Sequence, residues 1–111
     1  MMRPSPPDRF SIYWTVLDPV EGAEMKKTRP CVVVSPEEMN QNLETVIVVP
    51  MTLSIRNWPS RLSVRLGKQR ASIACDQMRS VSRERLGKRI GALPPRDQRQ
   101  LLGILQQMFT L

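Results

Sequence analysis

Prolines set the first constraint on this chain. Ten of its 111 residues are proline, at positions 4, 6, 7, 19, 30, 36, 50, 59, 94 and 95. Proline has no backbone N–H and clashes with the preceding helical turn, so it ends helices and is kept out of central strands. The spacing favours short strands and turns, with one long helix after Pro94-Pro95. A chain of this length fits one small domain with a modest core, and a separate cofactor-binding domain is excluded.

Between the prolines the apolar residues run in strand patterns. Residues 10–17 are aromatic and β-branched with rough alternation and predict a strand, broken by Asp18-Pro19. Residues 18–29 hold Gly22 and many charges and read as a long exposed loop. Residues 30–35, with three consecutive valines, predict a strand buried on both faces. Ser35 reads as the N-cap of a short helix, with Pro36 at its first position and Glu37 and Glu38 in its first turn. Residues 45–49 follow as a strand that Pro50 is expected to end. Residues 53–60 form a second loop, 61–66 a half-exposed strand and 71–75 a short one; 81–93 is open between strand and helix, with 89–92 assigned to strand. After residue 95, Leu101, Ile104, Leu105 and Met108 share one helical face. Residues 1–8 read as a flexible tail and 9–111 as the single domain. The expected class is α+β, mainly β: a small barrel of five or six strands with a C-terminal helix packed on it.

The formal charge is +7, unevenly spread. Residues 1–55 hold five basic and seven acidic groups, whereas residues 56–99 hold twelve basic and three acidic, a net of +9. Such a half is either a solvated arginine-rich surface or an electrostatic footprint for nucleic acid or an acidic protein tail. The chain has no histidine, which removes imidazole general bases, Ser-His-Asp and Cys-His nucleophiles and His-containing zinc sites. Cys31 and Cys75 are too few for a four-cysteine zinc site and sit in apolar contexts, as buried free thiols. Asp8 after Pro7, with Glu24-Met25-Lys26, imitates a magnesium-nuclease pattern, but the two parts fall in a tail and a loop that do not converge. Asp18, Glu21 and Glu24 read as solvated loop acids paired with Lys26 and Lys27. The glycines are scattered and form no phosphate loop. No apolar run suits a signal peptide or a membrane span, so the expectation is a soluble cytoplasmic protein with no metal, no cofactor and no membrane partner.

An ordered series of short motifs remains. It runs Ile12-Tyr13-Trp14, Leu17-Asp18-Pro19, Gly22-Ala23-Glu24, Arg29-Pro30, Val32-Val33-Val34-Ser35-Pro36, Val48-Val49-Pro50-Met51-Thr52, Pro59-Ser60, Asp76-Gln77 and Leu86-Gly87-Lys88-Arg89-Ile90-Gly91. Single pieces carry little, but their order and spacing over residues 9–111 resemble the MazF/PemK toxin family of bacterial toxin–antitoxin pairs. The resemblance implies an SH3-like β-barrel with a C-terminal helix, acting as a homodimer. It implies a sequence-specific endoribonuclease (an mRNA interferase) that cleaves single-stranded RNA without metal, leaving 2′,3′-cyclic phosphate and 5′-hydroxyl ends. It also implies a cognate antitoxin whose acidic tail competes for the RNA groove.

That chemistry suits a chain without histidine. RNA carries its own nucleophile, the 2′-hydroxyl, so an enzyme needs to align it, neutralise the phosphorane and manage two protons. Arg29 matches the family's catalytic arginine, and its planar fork suits two phosphate oxygens. Thr52 matches the second catalytic position and Asp76 an acid that orients the site. Read without the resemblance, these are a surface cation, a strand-end cap and a turn acid. Glu24 matches a loop acid, and Lys27, Ser54, Arg56, Trp58 and Gln77 are candidate RNA contacts, with Trp58 open between stacking on a base and packing.

The chain departs from the family pattern in three places. Phe10-Ser11 stands where the family has Gly-Asp, and Ala23 replaces a serine. Ala74 stands where some branches carry an arginine two residues before the acid, which throws weight onto Arg29. Two other readings share the fold: a non-enzymatic gyrase poison, disfavoured by the ending Met108-Phe109-Thr110-Leu111, and a silent nucleic-acid-binding barrel, disfavoured by Arg29, Thr52 and Asp76 occurring together.

Overall fold

The computed structural model describes residues 5–17 and 27–111. Seven strands form one antiparallel sheet: β1 (Ser11–Val16), β2 (Thr28–Val33), β3 (Thr45–Thr52), β4 (Arg61–Leu66), β5 (Gln69–Ala74), β6 (Arg79–Ser82) and β7 (Leu86–Ala92). A short helix, α1 (Glu37–Asn42), joins β2 to β3, and α2 (Pro95–Met108) closes the chain. The spatial order is β4-β5-β3-β2-β1-β7, with β6 pairing a second stretch of β3. This is the mainly β half-barrel with a terminal helix that the sequence pattern implies, but with seven strands among the described residues in place of the expected five or six, because 81–93 divides between two strands. No helix among the described residues is long and apolar enough to cross a membrane.

Two apolar clusters explain the consecutive valines. Val32, Val34, Val49 and Met51 face a large core with Ile12, Val64, Ile73 and Leu93, onto which α2 sets Leu101, Ile104 and Leu105. Cys31, Val33, Val46 and Val48 face the opposite side and pack with Leu17 and Val81. Side chains alternate along a strand, so β2 and β3 need apolar residues at successive positions only because both faces are covered. Val32, Val33, Val46, Val48 and Val49 are fully buried. Truncating a large aliphatic side chain such as Ile73 in this core costs about 2–5 kcal/mol.

Three local expectations are corrected. Ser35 does not cap α1; Pro36 occupies the N-cap position and no side chain caps it. Ser35 is buried instead, its Oγ donating to Asn40 Oδ1 at 2.5 Å and accepting from the Ile47 amide at 3.1 Å. The turn is thus bolted to β3 from inside. Pro50 does not end β3, which runs on to Thr52. β3 pairs β6 through Thr45–Val48 and β5 through Met51 and Thr52, so Pro50 falls where the strand changes neighbours on that side. A missing N–H is tolerated at that handover. Cys75 opens a 3-10 turn, Cys75–Gln77, and does not belong to β5.

The ambiguous stretch 81–93 contains the end of β6, a 3-10 turn at Arg83–Arg85 and the whole of β7. Phe10, standing where the family pattern has glycine, has φ 68°, a region that costs a non-glycine residue about 1–2 kcal/mol. Its amide donates to the Val33 carbonyl at 2.7 Å and its carbonyl accepts from the Leu93 amide at 2.9 Å, which holds the corner. Of the expected tail, residues 1–4 lie outside the described residues. Pro7 is buried, its carbonyl accepting from Asn40 Nδ2 at 3.1 Å.

Candidate active site

Strand register delivers the candidate residues to one end of the sheet. Cys31 lies opposite Pro50 in the β2–β3 pair. Continuing that register by two residues sets Arg29 across from Thr52, and residues directly opposite share a face. That face is the one buried by Cys31, Val33, Val46 and Val48 further along. Where β6 gives way to β5 the apolar cover stops, and Arg29 and Thr52 meet a cavity of about 230 Å³.

The cavity gathers most of the predicted set. Arg29, Thr52, Ser54, Arg56, Trp58 and Gln77 all line it, together with Pro50, Met51, Arg61 and Ala74. Lys27 lines a separate cavity of about 430 Å³ with Trp14, Leu66, Gln69 and Ala71; the two cavities share Arg29, Met51 and Thr52. Glu24, like Asp18 and Glu21, lies outside the described residues. Among the described residues no group of three His, Cys, Asp or Glu side chains is placed to hold a metal ion.

The two catalytic candidates on β2 and β3 are left available. Arg29 is half-buried, and its guanidinium has no hydrogen-bond or ion-pair partner among the described residues. Thr52 is half-buried, and its Oγ1 accepts from the Ser54 amide at 3.1 Å. That bond is the strand-end cap of the alternative reading. It leaves the hydroxyl proton to be donated elsewhere, and a cap and a phosphate donor are compatible in one residue.

Asp76 does not itself line the cavity; it is joined to the opposite wall through Arg61, a lining arginine that sequence reasoning missed. Arg61 Nε donates to Asp76 Oδ1 at 2.7 Å and Nη2 donates to Oδ2 at 3.2 Å, a two-pronged pair. Ser60 Oγ adds a third bond to Oδ1 at 3.0 Å. Hydrogen bonds from Arg61 hold the Asp76 carboxyl below its usual range, with Ser60 assisting and partial burial opposing. Asp76 is therefore an ionised acceptor at neutral pH, suited to fixing a neighbour and not to passing protons. The Arg61 guanidinium in turn lies 4.7 Å from the centre of the Trp58 ring, and Arg56 lies 5.7 Å from it. Trp58 is 50% exposed, so it is a surface ring and not a core residue. Arg61 lies directly opposite Ala74, the position where some family branches carry their arginine. The guanidinium thus reaches Asp76 from the neighbouring strand. Only its outward place in the alternating 61–66 strand could have signalled it.

Both thiols are buried and free, as expected from their context. Burial pushes the Cys31 thiol up to about 11 against a hydrogen bond from Thr15, and burial with the Asp76 charge pushes Cys75 to about 11. Neither is a nucleophile at neutral pH.

The family model of the PemK-like, MazF-like toxins of type II toxin–antitoxin systems matches residues 8–109. The chain is 30% identical to the endoribonuclease PemK of Escherichia coli, over 97% of this chain and 86% of that protein. It is 31% identical to the endoribonuclease toxin MazF of Escherichia coli, over 82% of this chain and 83% of that protein. A MazE–MazF structure from Deinococcus radiodurans superposes with a TM-score of 0.81 at 23% identity, covering 94% of this chain and 96% of that one. An endoribonuclease from a mycobacterial species, in complex with its cognate antitoxin, superposes with a TM-score of 0.77 at 20% identity, covering 91% and 92%. At these identities the structural matches speak for the fold.

Proposed function

This chain belongs to the PemK-like, MazF-like toxin family of type II toxin–antitoxin systems, and we propose that it is an endoribonuclease that cleaves single-stranded mRNA in the cytoplasm without a metal ion. Residues 9–111 act as one catalytic domain. The RNA 2′-hydroxyl attacks the adjacent phosphorus, the bond to the 5′-oxygen breaks, and the products are a 2′,3′-cyclic phosphate and a 5′-hydroxyl. The observation that supports this reading is the Arg29 guanidinium, without a partner among the described residues, beside the Thr52 hydroxyl in one cavity.

Arg29 binds two non-bridging oxygens of the scissile phosphate and gains strength as the phosphorane becomes dianionic. Thr52 donates its hydroxyl proton to a phosphate oxygen or holds the 2′-hydroxyl in line. Arginine is a poor proton acceptor, so Arg29 acts through charge and geometry. Asp76 contributes through Arg61, which fixes Trp58 as a stacking wall for an unpaired base. Ser54, Arg56 and Gln77 offer further donors to RNA, Lys27 offers a cation from the neighbouring cavity, and Glu24 is carried over from the family likeness alone.

The active form is a homodimer, for which the exposed Met108, Phe109 and Leu111 at the end of α2 supply apolar surface. A cognate antitoxin inhibits it by laying an acidic tail over the basic groove. The test is cleavage of a long natural RNA by purified protein in excess EDTA, with the new ends identified by mass. Cyclic phosphate and 5′-hydroxyl ends support the reading. Ends bearing a 3′-hydroxyl, or activity that returns only with Mg²⁺, overturn it.

A further inference from the structure

The structure sorts the basic residues of the second half by what they are tied to. Arg61 is held by Asp76, Arg79 and Arg85 each donate to the Leu17 carbonyl at 3.0 Å, and Arg89 Nε donates to Ser11 Oγ at 3.1 Å. Arg65 and Arg70 are different. They lie directly opposite each other in the β4–β5 pair, both exposed, with no carboxylate in ion-pair contact among the described residues. Like charges directly opposed across two strands destabilise a sheet. Arg65 and Arg70 line a groove of about 520 Å³ with Ser63, Arg96, Gln100 and one acid, Asp97.

Register connects this groove to the cleavage site. Thr52 lies opposite Ser72, and Ser72 opposite Ser63, so these three side chains form one row on one sheet face. Arg70 and Arg65 form the next row on the same face, two residues further along β5 and β4. With strands about 4.8 Å apart and about 3.4 Å per residue, Arg70 sits roughly 8 Å from Thr52, within reach of an adjacent nucleotide. The Arg70 guanidinium leans back toward Thr52's row, its Nη2 donating to Ser63 Oγ at 3.3 Å. Within that row the Ser72 hydroxyl is buried without a partner among the described residues.

We propose that Arg65 and Arg70, with Arg96 at the groove's far side, form a phosphate-binding extension of the active site that grips the RNA backbone beside the cleaved bond. The proposal rests on the reading of Arg29 and Thr52 as the cleavage site. Its ligand is the ribose–phosphate backbone of a single strand, because the face offers exposed guanidinium forks beside the exposed Ser63 hydroxyl and the half-buried Thr52.

The experiment measures binding of a 2′-O-methyl RNA of about 20 nucleotides, which lacks the nucleophile and so separates binding from cleavage. In the variant Arg65→Gln/Arg70→Gln, affinity at low salt should fall about tenfold. The slope of log affinity against log salt should become shallower by about 1.4, for two lost phosphate contacts on a single strand. The rate at saturating cleavable RNA should stay within twofold of the parent. Removing the opposed charges should leave the melting temperature unchanged or higher. Should the variant fold poorly, Arg65→Lys/Arg70→Lys must keep the parent's salt slope. Lys88→Gln, one charge on β7, serves as the control and should bind like the parent. Unchanged affinity and slope in the double variant overturn the proposal. So does loss of binding to an acidic peptide with RNA binding intact, which would assign the face to a protein partner. If the parent binds RNA through this face but cleaves none, the proposed function falls and the phosphate site stands.

Discussion

Two arginines face the same cavity from opposite walls and are treated in opposite ways. Arg61 is held at both ends of its fork by Asp76, stacked on Trp58, and its side chain is 7% exposed. Arg29 has no partner among the described residues. A guanidinium neutralised by a carboxylate has little charge left for a substrate, but its geometry is fixed. An unpaired one keeps its charge for whatever anion arrives. One wall is scaffolding for a ring; the other is the wall we propose to be the reacting one. The same residue type takes both forms because the 3-10 turn after β5 supplies an acid to Arg61, while none among the described residues meets Arg29.

Breaking the reacting wall should give the largest effect. Arg29→Ala is expected to lower kcat about 10²-fold or more, with KM for RNA and melting temperature changed little, as read by steady-state kinetics and calorimetry. Arg29→Lys should recover only part of the rate, because a point charge does not bridge two oxygens. Breaking the scaffold wall should look different. Arg61→Met or Asp76→Asn is expected to raise KM about tenfold with a smaller change in kcat, and to lower the melting temperature by a few degrees. Equal loss of kcat in Arg61→Met and Arg29→Ala would erase the distinction between the walls.

Acid titration separates the walls by sign. The Asp76 carboxyl is held below its ordinary value of 3.8 in the folded protein, chiefly by Arg61. A depressed folded value means its stabilisation is complete above the unfolded value and is lost as pH falls through the folded one. The parent should therefore lose stability below about pH 4 more steeply than Asp76→Asn, whereas Arg29→Ala should follow the parent's curve. The smallest effect concerns the thiols behind each wall. Cys31 and Cys75, raised to about 11 by burial, should resist iodoacetamide at pH 8 in the folded protein and react once it is denatured.

What the sequence revealed followed the range of the physics. The valines at 32–34, the apolar face of α2 and the burial of both thiols depend on local pattern and are read directly from the chain. The motif order around Arg29, Thr52 and Asp76 led to the family and to a set of residues that do line one cavity, with Arg61 tying Asp76 to it. Pro50 looks like a strand end in the sequence, but a strand that changes partners leaves one position needing no N–H, and sequence does not display the handover. Ser35 resembled a cap because its neighbours fit one, yet its hydroxyl is used by Asn40 and Ile47. Arg61 escaped notice because its meaning depends on lying opposite Ala74, a pairing between strands that only the register fixes.

The central claim is that the reacting wall assists an attack by RNA's own 2′-hydroxyl. It is tested most directly by one oligonucleotide of the cleaved sequence with a single 2′-deoxy sugar on the 5′ side of the scissile bond. The account predicts that this RNA binds with nearly the parent affinity and is not cut there, while the all-ribose strand is cut at that bond in EDTA. Cleavage at the deoxy position would contradict it, since the nucleophile would then be water and Arg29 and Thr52 would have been assigned to the wrong reaction.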